Sequence, residues 1–474
     1  MIKVITIYKE IKEIRERNPE LIYNRLRSNN SYLLESVEGS KKMARYSFIG
    51  FNPAVKLRVK EGKIKFEVFD PNLKNLKLKD SDPLEIMKSL FSQFEFNKKP
   101  LLTRFVGGFV GYFSYDLVRY FYNLPKKTKD DLNEPDCEFI LTKNNLIFDH
   151  KEKRTYLLSH QFLLPGEKID REIIHKDWEK ISKTLSSFSQ PSYLIKKEGK
   201  REKKFFSNIS KREFEKKVKK AKEYILAGDI LQVVLSRRIE TEFKGDKFKI
   251  YHHLKKINPS PYMYYLDFGQ RKIVGSSPEM LVRVEKRKVE TYPIAGTRPR
   301  GRNFNEDKRL EKELLEDEKE KAEHIMLVDL ARNDLGKVAQ FGSIKVKRLM
   351  AIEKYSHVQH LVSEVSGKLK DEEDEFSVLK SIFPAGTVSG APKVRAMEII
   401  DELELRKRGI YAGAIGYFSF NRNIDMAITI RTIIFEKDKA FLQAGAGIVA
   451  DSKPDREYQE IMNKVQVLLK ALIT

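Results

Sequence analysis

The chain has 474 residues with 91 Lys and Arg against 68 Asp and Glu, a formal net charge of +23, so there is room for two domains of ordinary size. Its 41% hydrophobic and 11% aromatic content excludes general disorder, and no apolar run reaches the roughly 20 residues a membrane span needs. The single cysteine, Cys137, excludes an intrachain disulfide framework and a multi-cysteine zinc site. The basic excess lies on a background of 34% charged residues with both signs mixed, and acids interrupt even its densest patch, Lys196 to Lys222. That pattern suits an anionic small substrate better than a nucleic acid, so no nucleic-acid and no membrane partner is expected. Met1 to Glu10 lacks the apolar core of a signal peptide, which makes the cytoplasm the expected compartment.

In chain order, residues 1–185 are dominated by strand-like segments: Ser31–Ser36, Arg45–Gly50, Lys63–Val68 and Asn145–Phe148. The glycine-rich Gly107–Tyr112 has the composition of a strand that another backbone approaches closely. Asp170 to Leu185 has helical character, and the polar stretch 186–204 with Pro191 is the expected linker. From 205 to 474 long helices mix with strands. Lys211–Ala227 is predicted as a helix stopped by Gly228, and Glu306–Ala331 as one charge-rich helix. Ala412–Phe420, Met426–Phe435 and Ala440–Ala446 are predicted as strands. The chain closes with a helix marked by Asp451/Ser452 and Pro454, whose apolar stripe runs from Tyr458 through Ile461, Val465 and Leu468 to Leu472. Strands and helices do not alternate strictly, so the expected class is α+β, not a doubly wound parallel sheet.

The chemistry-bearing residues begin with acids. Glu457 and Glu460 lie at i,i+3 on the last helix, Lys464 continues their face, and Glu320 and Glu323 repeat the spacing on the other long helix. Two helices each presenting two carboxylates could build an oxygen-rich Mg²⁺ site, although such pairs taken alone are usually just solvated. Three glycine-rich segments, Pro293–Gly301, Phe383–Lys393 and Gln443–Ile448, read as tight turns exposing backbone N–H groups. With basic residues beside them, they suggest a small substrate with more than one carboxylate.

Several of these segments together resemble the chorismate-utilising enzyme family, whose branches include anthranilate, aminodeoxychorismate, isochorismate and salicylate synthases. They are Pro293–Gly301, Asp317–Gly336, His357–Val365, Phe383–Lys393, Tyr411–Tyr417, Ile430–Thr432 and Gln443–Lys464, in family order across most of residues 205–470. The resemblance implies antiparallel β-sheets packed as a sandwich with flanking helices. Two positions discriminate among branches. Where the water-using branch has a lysine in a Gly-Asp-x-x-Lys segment this chain has Gln232, and where many aminodeoxychorismate enzymes have a nucleophilic lysine it has Ala295. Both departures point to the anthranilate branch, in which ammonia attacks C2 of chorismate and pyruvate is eliminated. By resemblance, Glu323 and Glu460 ligate Mg²⁺ with Glu457 nearby, Glu320 is the acid for the C4 hydroxyl, His360 assists the pyruvate elimination, and Gln232 stands at the nucleophile position. Gly296, Thr297, Thr387, Tyr411, Arg431, Gly445, Ala446, Gly447 and Lys464 would hold the substrate.

Leu33-Leu34-Glu35-Ser36 and Asn258–Met263 resemble the feedback site of the anthranilate branch. The resemblance implies that Glu35, Ser36, Pro261, Tyr262 and Met263 bind L-tryptophan as an inhibitor. No glutaminase module is recognisable and Cys137 has no nucleophile signature, so glutamine use implies a separate amidotransferase subunit in a hetero-oligomer, expected as a heterotetramer. The competing readings are the large subunit of an aminodeoxychorismate synthase, a basic nucleic-acid-binding protein and a catalytically dead homologue.

Overall fold

A computed structural model describes residues 1–12, 18–37, 44–96, 103–186, 204–355 and 358–473. The expected linker, apart from residues 186 and 204, and His357 lie outside the described residues. The class is α+β, as expected. One ladder of strands, antiparallel except for Ile2–Glu10 against Phe94–Phe96, carries helices on its outer faces.

The ladder has two arms joined by N-terminal strands. Tyr46–Lys60 and Gly108–Phe113 both pair with Cys137–Asp149. From the first of them, pairing passes through Ser31–Glu35, Tyr262–Asp267, Arg271–Ser277, Thr432–Glu436 and Lys439–Ile448 to Gln232–Glu242. From the second it passes through Ala414–Ser419, Ile424–Ile428, Met280–Glu285 and Lys288–Thr291 to Val358–Lys368, which also pairs with Ile294–Pro299. Strands from residues 1–185 and 205–474 thus share one ladder.

Alternation along each strand sends side chains to two faces. Tyr264 and Leu266, Ile415 and Tyr417, Ile434 and Phe48 enter an inner apolar cluster where the two arms face each other as a sandwich. The opposite faces, including Met263, Tyr265 and Ile433, join a larger cluster shared with the helices. Close backbone approach explains the glycine-rich strand: a β-carbon on Gly108 would lie 2.1 Å from the Phe418 carbonyl oxygen, and one on Gly111 2.0 Å from that of Glu138.

Three expectations need correction. Glu306–Ala331 is not one helix but two, Phe304–Glu316 and Glu318–Gly336. Asp317 breaks the run because its carboxylate accepts the backbone N–H groups of Lys319 and Glu320, both at 3.1 Å, and caps the second helix. Met426–Phe435 is likewise interrupted: strands Ile424–Ile428 and Thr432–Glu436 flank a kink where Arg431 has φ +49°. Two of the three glycine-rich segments are strands, not turns: Ile294–Pro299, and Gln443–Ile448 as the end of Lys439–Ile448. In the third, a 3₁₀ turn at Gly386–Val388 is followed by a short strand, Gly390–Ala391. Glycine serves close approach in the last strand, where a β-carbon on Gly445 would lie 2.7 Å from the Tyr411 hydroxyl.

Candidate active site

The capped helix Glu318–Gly336 and the final helix Pro454–Ile473 bring their glutamates into one electrostatic field. Burial pushes the Glu323 carboxyl up, and the negative charges of Glu320 and Glu460 push it further. Burial and Glu460 likewise raise Glu457. Each of these groups is therefore short of positive charge. Lys464 donates to Glu460 Oε1 at 2.7 Å and to the Gly445 carbonyl at 2.9 Å, tying the final helix to the glycine-rich strand. Glu320 accepts from Arg298 Nη1 at 3.3 Å. Among the described residues no three His, Cys, Asp or Glu side chains converge closely enough to enclose an ion. All-oxygen donors with excess negative charge fit a hard divalent cation that keeps water and takes its remaining ligands from a bound anion.

Gln232 opens the strand Gln232–Glu242 and is buried; its Nε2 donates weakly to Glu323 Oε1 at 3.4 Å. Its Oε1 is buried without a partner among the described residues. A β-carbon on Gly447 would lie 2.4 Å from the Gln232 Nε2, so that glycine makes room for the amide.

Gly296 is the extra residue of a bulge: Ala295 stands opposite Leu361 and Thr297 opposite His360, with Gly296 at φ +62° between them. The bulge aims the Gly296 carbonyl at His360 Nδ1, 2.9 Å away, with Thr297 Oγ1 at 3.1 Å. An Nδ1–H donated to that carbonyl leaves the Nε2 lone pair free to act as a base. Burial holds the imidazole below its ordinary pKa, the Gly296 hydrogen bond opposes that shift, and the charge of Arg431 adds to it.

Arg431 is the cation of this cluster. Its guanidinium has no hydrogen-bond or ion-pair partner among the described residues, and burial lowers its pKa against the opposing charge of Glu279. A desolvated guanidinium without a carboxylate is costly unless a ligand supplies one.

Glu279 is the residue that the sequence reading missed. It is buried, it accepts from Thr387 Oγ1 at 2.8 Å, and burial pushes its carboxyl up to about 7 although Thr387, Lys464 and Arg431 all favour the ionised form. The signal was available: an acid between Pro278 and the apolar run Met280–Val282 stands where a solvated face is not expected. Tyr411 is buried against the Arg408 guanidinium, 5.7 Å from its ring, and it approaches the Gly445 backbone. The structure thus links Thr387 to Glu279, Lys464 and Tyr411 to Gly445, Gln232 to Gly447, and Gly296 and Thr297 to His360, with Arg431 in the field of Glu279 and His360, whereas Ala446 packs into the apolar core.

A separate cavity is lined by Glu35, Ser36, Pro261, Tyr262 and Met263. Arg283 and Asp425 form an ion pair at 2.8 Å on its wall, and the Tyr262 hydroxyl donates to Asp425 at 2.8 Å. Both Glu35 oxygens accept from Lys255, at 3.0 and 2.9 Å, and Tyr251 donates to one of them. Ser36 Oγ and Arg283 Nη1 are buried without partners among the described residues. Cys137 is buried elsewhere, its thiol pushed well up by burial. No helix among the described residues is long and apolar enough to cross a membrane.

Residues 29–470 match the model of the chorismate binding enzymes, and the chain belongs to that family. Within it, the chain is 51% identical over 457 residues to anthranilate synthase component 1 of Acetivibrio thermocellus, covering 94% of this chain and 90% of the relative. It is 47% identical to the protein of the same name from Aquifex aeolicus, covering 99% and 94%. Among solved structures, anthranilate synthase component I from Streptococcus pneumoniae TIGR4 superposes with a TM-score of 0.79 at 36% identity, covering 95% of this chain and 97% of that one. A menaquinone-specific isochorismate synthase from Escherichia coli shares the fold, with a TM-score of 0.72 at 20% identity.

Proposed function

We propose that this chain is the chorismate-using component of an anthranilate synthase, joining ammonia to C2 of chorismate and releasing water and pyruvate. The observation that carries the reading is an Arg431 guanidinium without a partner among the described residues, in the field of a buried Glu279 and near carboxylates short of cations. A substrate with two carboxylates and a divalent cation would together answer both deficits: one carboxylate takes Arg431, and the other would meet the cation held by the acidic helices.

Glu323 and Glu460 would hold Mg²⁺, with Glu457 nearby. When bound, the ion would polarise the ring carboxylate and draw charge from the conjugated ring. The chain's own residues supply the rest. As the nitrogen–C2 bond forms, the C4–oxygen bond breaks, and Glu279, protonated near neutral pH, gives the leaving hydroxyl its proton to make water. Glu320, paired to Arg298, is less suited to that role than Glu279. Removal of the C2 proton and cleavage of the C3–oxygen bond then aromatise the ring, with His360 Nε2 placed to move a proton. Gln232 cannot deprotonate water, and Ala295 offers no nucleophile. Thr387, bonded to Glu279, and Tyr411, beside Gly445, would fix the pose.

The cavity holding Ser36 and Met263 would take L-tryptophan as feedback inhibitor. Its buried, unpartnered Ser36 Oγ and Arg283 Nη1 are free for the amino-acid group and its aromatic walls for the indole. Glutamine use would require an amidotransferase subunit, and the cytoplasm remains the expected compartment. Titrating Mg²⁺ against ammonia-dependent chorismate consumption tests the site: Glu323→Gln and Glu460→Gln should each raise the Mg²⁺ demand at least tenfold, on the scale of one lost ligand. Unchanged demand in both would remove the metal site from this place.

A further inference from the structure

We infer that Tyr264 is a positioning residue for Arg431 and that through it the aromatic cavity communicates with the substrate site; the regulatory half of this rests on the tryptophan reading above. Three adjacent strands place Tyr264, Gly275 and Thr432 in one cross-strand row, Tyr264 opposite Gly275 and Gly275 opposite Thr432. In the other direction the row continues through Leu34 and Phe48, and Tyr264, Leu34 and Phe48 all line the cavity. Gly275 is what allows the tyrosine to lie across its neighbour, because a β-carbon there would fall 2.2 Å from the Tyr264 ring. The Tyr264 hydroxyl thereby reaches Thr432 Oγ1 at 2.6 Å.

Thr432 Oγ1 donates to the Ile430 carbonyl at 2.9 Å, so the tyrosine is the donor and the threonine the acceptor between them. That threonine-to-carbonyl bond spans Arg431 and closes the kink in which Arg431 holds φ +49°, a conformation disfavoured for a residue with a side chain. The Arg431 carbonyl is fixed separately by the Ser276 N–H at 3.1 Å, from the residue after Gly275. The guanidinium itself has no partner among the described residues, so its direction depends on the backbone that carries it. A ligand pressed against the Tyr264 ring shifts the hydroxyl relative to Thr432, loosens the kink and turns Arg431 away from its carboxylate. The coupling is thus a physical row of contacts ending at a residue held in a strained backbone conformation, and not spatial proximity alone.

The test is Tyr264→Phe, which keeps the ring and removes only the hydroxyl. Chorismate KM and kcat are measured with and without saturating L-tryptophan, and tryptophan binding is followed by calorimetry. Without tryptophan, KM for chorismate should rise about fivefold, the worth of one hydrogen bond, with kcat little changed. The ratio of KM with tryptophan to KM without it should fall by a similar factor while tryptophan still binds. Thr432→Ser, which keeps the acceptor, should preserve the ratio, and Thr432→Val should reduce it as Tyr264→Phe does; this pair carries the test if the tyrosine variant does not fold. Wild-type KM and a wild-type ratio in Tyr264→Phe, or equal ratios in the two Thr432 variants, would overturn the inference. If the unmodified chain does not bind tryptophan, the regulatory reading fails by itself, and the KM of Tyr264→Phe still decides whether the residue positions Arg431.

Discussion

The chorismate site and the aromatic cavity are served by one ladder of strands, yet they treat charge in opposite ways. Burial and the charges of Glu320 and Glu460 push the Glu323 carboxyl up, burial and Glu460 push Glu457 up, and Arg431 has no anionic partner among the described residues. Around the cavity the charges are matched: Arg283 with Asp425, and Glu35 with Lys255. The first arrangement is costly until substrate and cation arrive, so binding energy is directed at the reacting groups. The second is complete without ligand apart from two buried donors, as suits a pocket that reports a concentration and does no chemistry.

The largest expected effect comes from removing the proton held on the substrate side. Glu279→Gln should lower kcat by about two to four orders of magnitude, the range for loss of a general acid, with chorismate binding retained by calorimetry. Because the protonated form works and its carboxyl is pushed up to about 7, kcat/KM should fall as pH rises through that value. The sign for stability follows from the same shift. A carboxyl whose folded pKa is raised contributes stability at low pH that is lost as pH rises through the folded value. Glu279→Gln should therefore resist urea better than the unmodified chain above pH 7, even as activity collapses, whereas no such split is expected for a cavity residue.

Arg431→Lys keeps the charge but loses the two-pronged donor. It should raise the chorismate KM by roughly ten- to a hundredfold, measured in steady state. On the cavity side, Ser36→Phe fills the space and should weaken tryptophan binding at least about tenfold, roughly 1.4 kcal/mol by calorimetry. The smallest effect is structural: Asp317→Ala removes the cap of the helix that carries Glu320 and Glu323 and should cost about 1 kcal/mol in denaturant unfolding.

Legibility in the sequence followed the periodicity of each segment. The final helix could be placed because its apolar stripe repeats at helical spacing, which set Glu457, Glu460 and Lys464 on a common face. The break at Asp317 was hidden because every residue from Glu306 to Lys321 except Leu310, Leu314 and Leu315 is charged, and a capping aspartate looks like any other acid in such a run. The glycine segments were misread as turns because glycine marks both tight turns and close approach, and only the partner, Tyr411 over Gly445 or Gln232 beside Gly447, tells the two apart. Glu279 belongs to no periodic pattern, so its place beside the apolar Met280–Val282 hinted at burial but its role emerged when the charges of Lys464 and Arg431 converged on it. The row from Tyr264 to Thr432 joins residues 168 positions apart and depends on strand register, which composition does not encode.

The most direct test is to incubate the purified chain with chorismate, Mg²⁺ and ammonium at mildly alkaline pH and identify the product by fluorescence and mass. Fluorescent anthranilate and an equal amount of pyruvate are the expected result. A non-aromatic aminated product without pyruvate, or isochorismate formed by water, would contradict the assignment of ammonia to C2 and of elimination to this site.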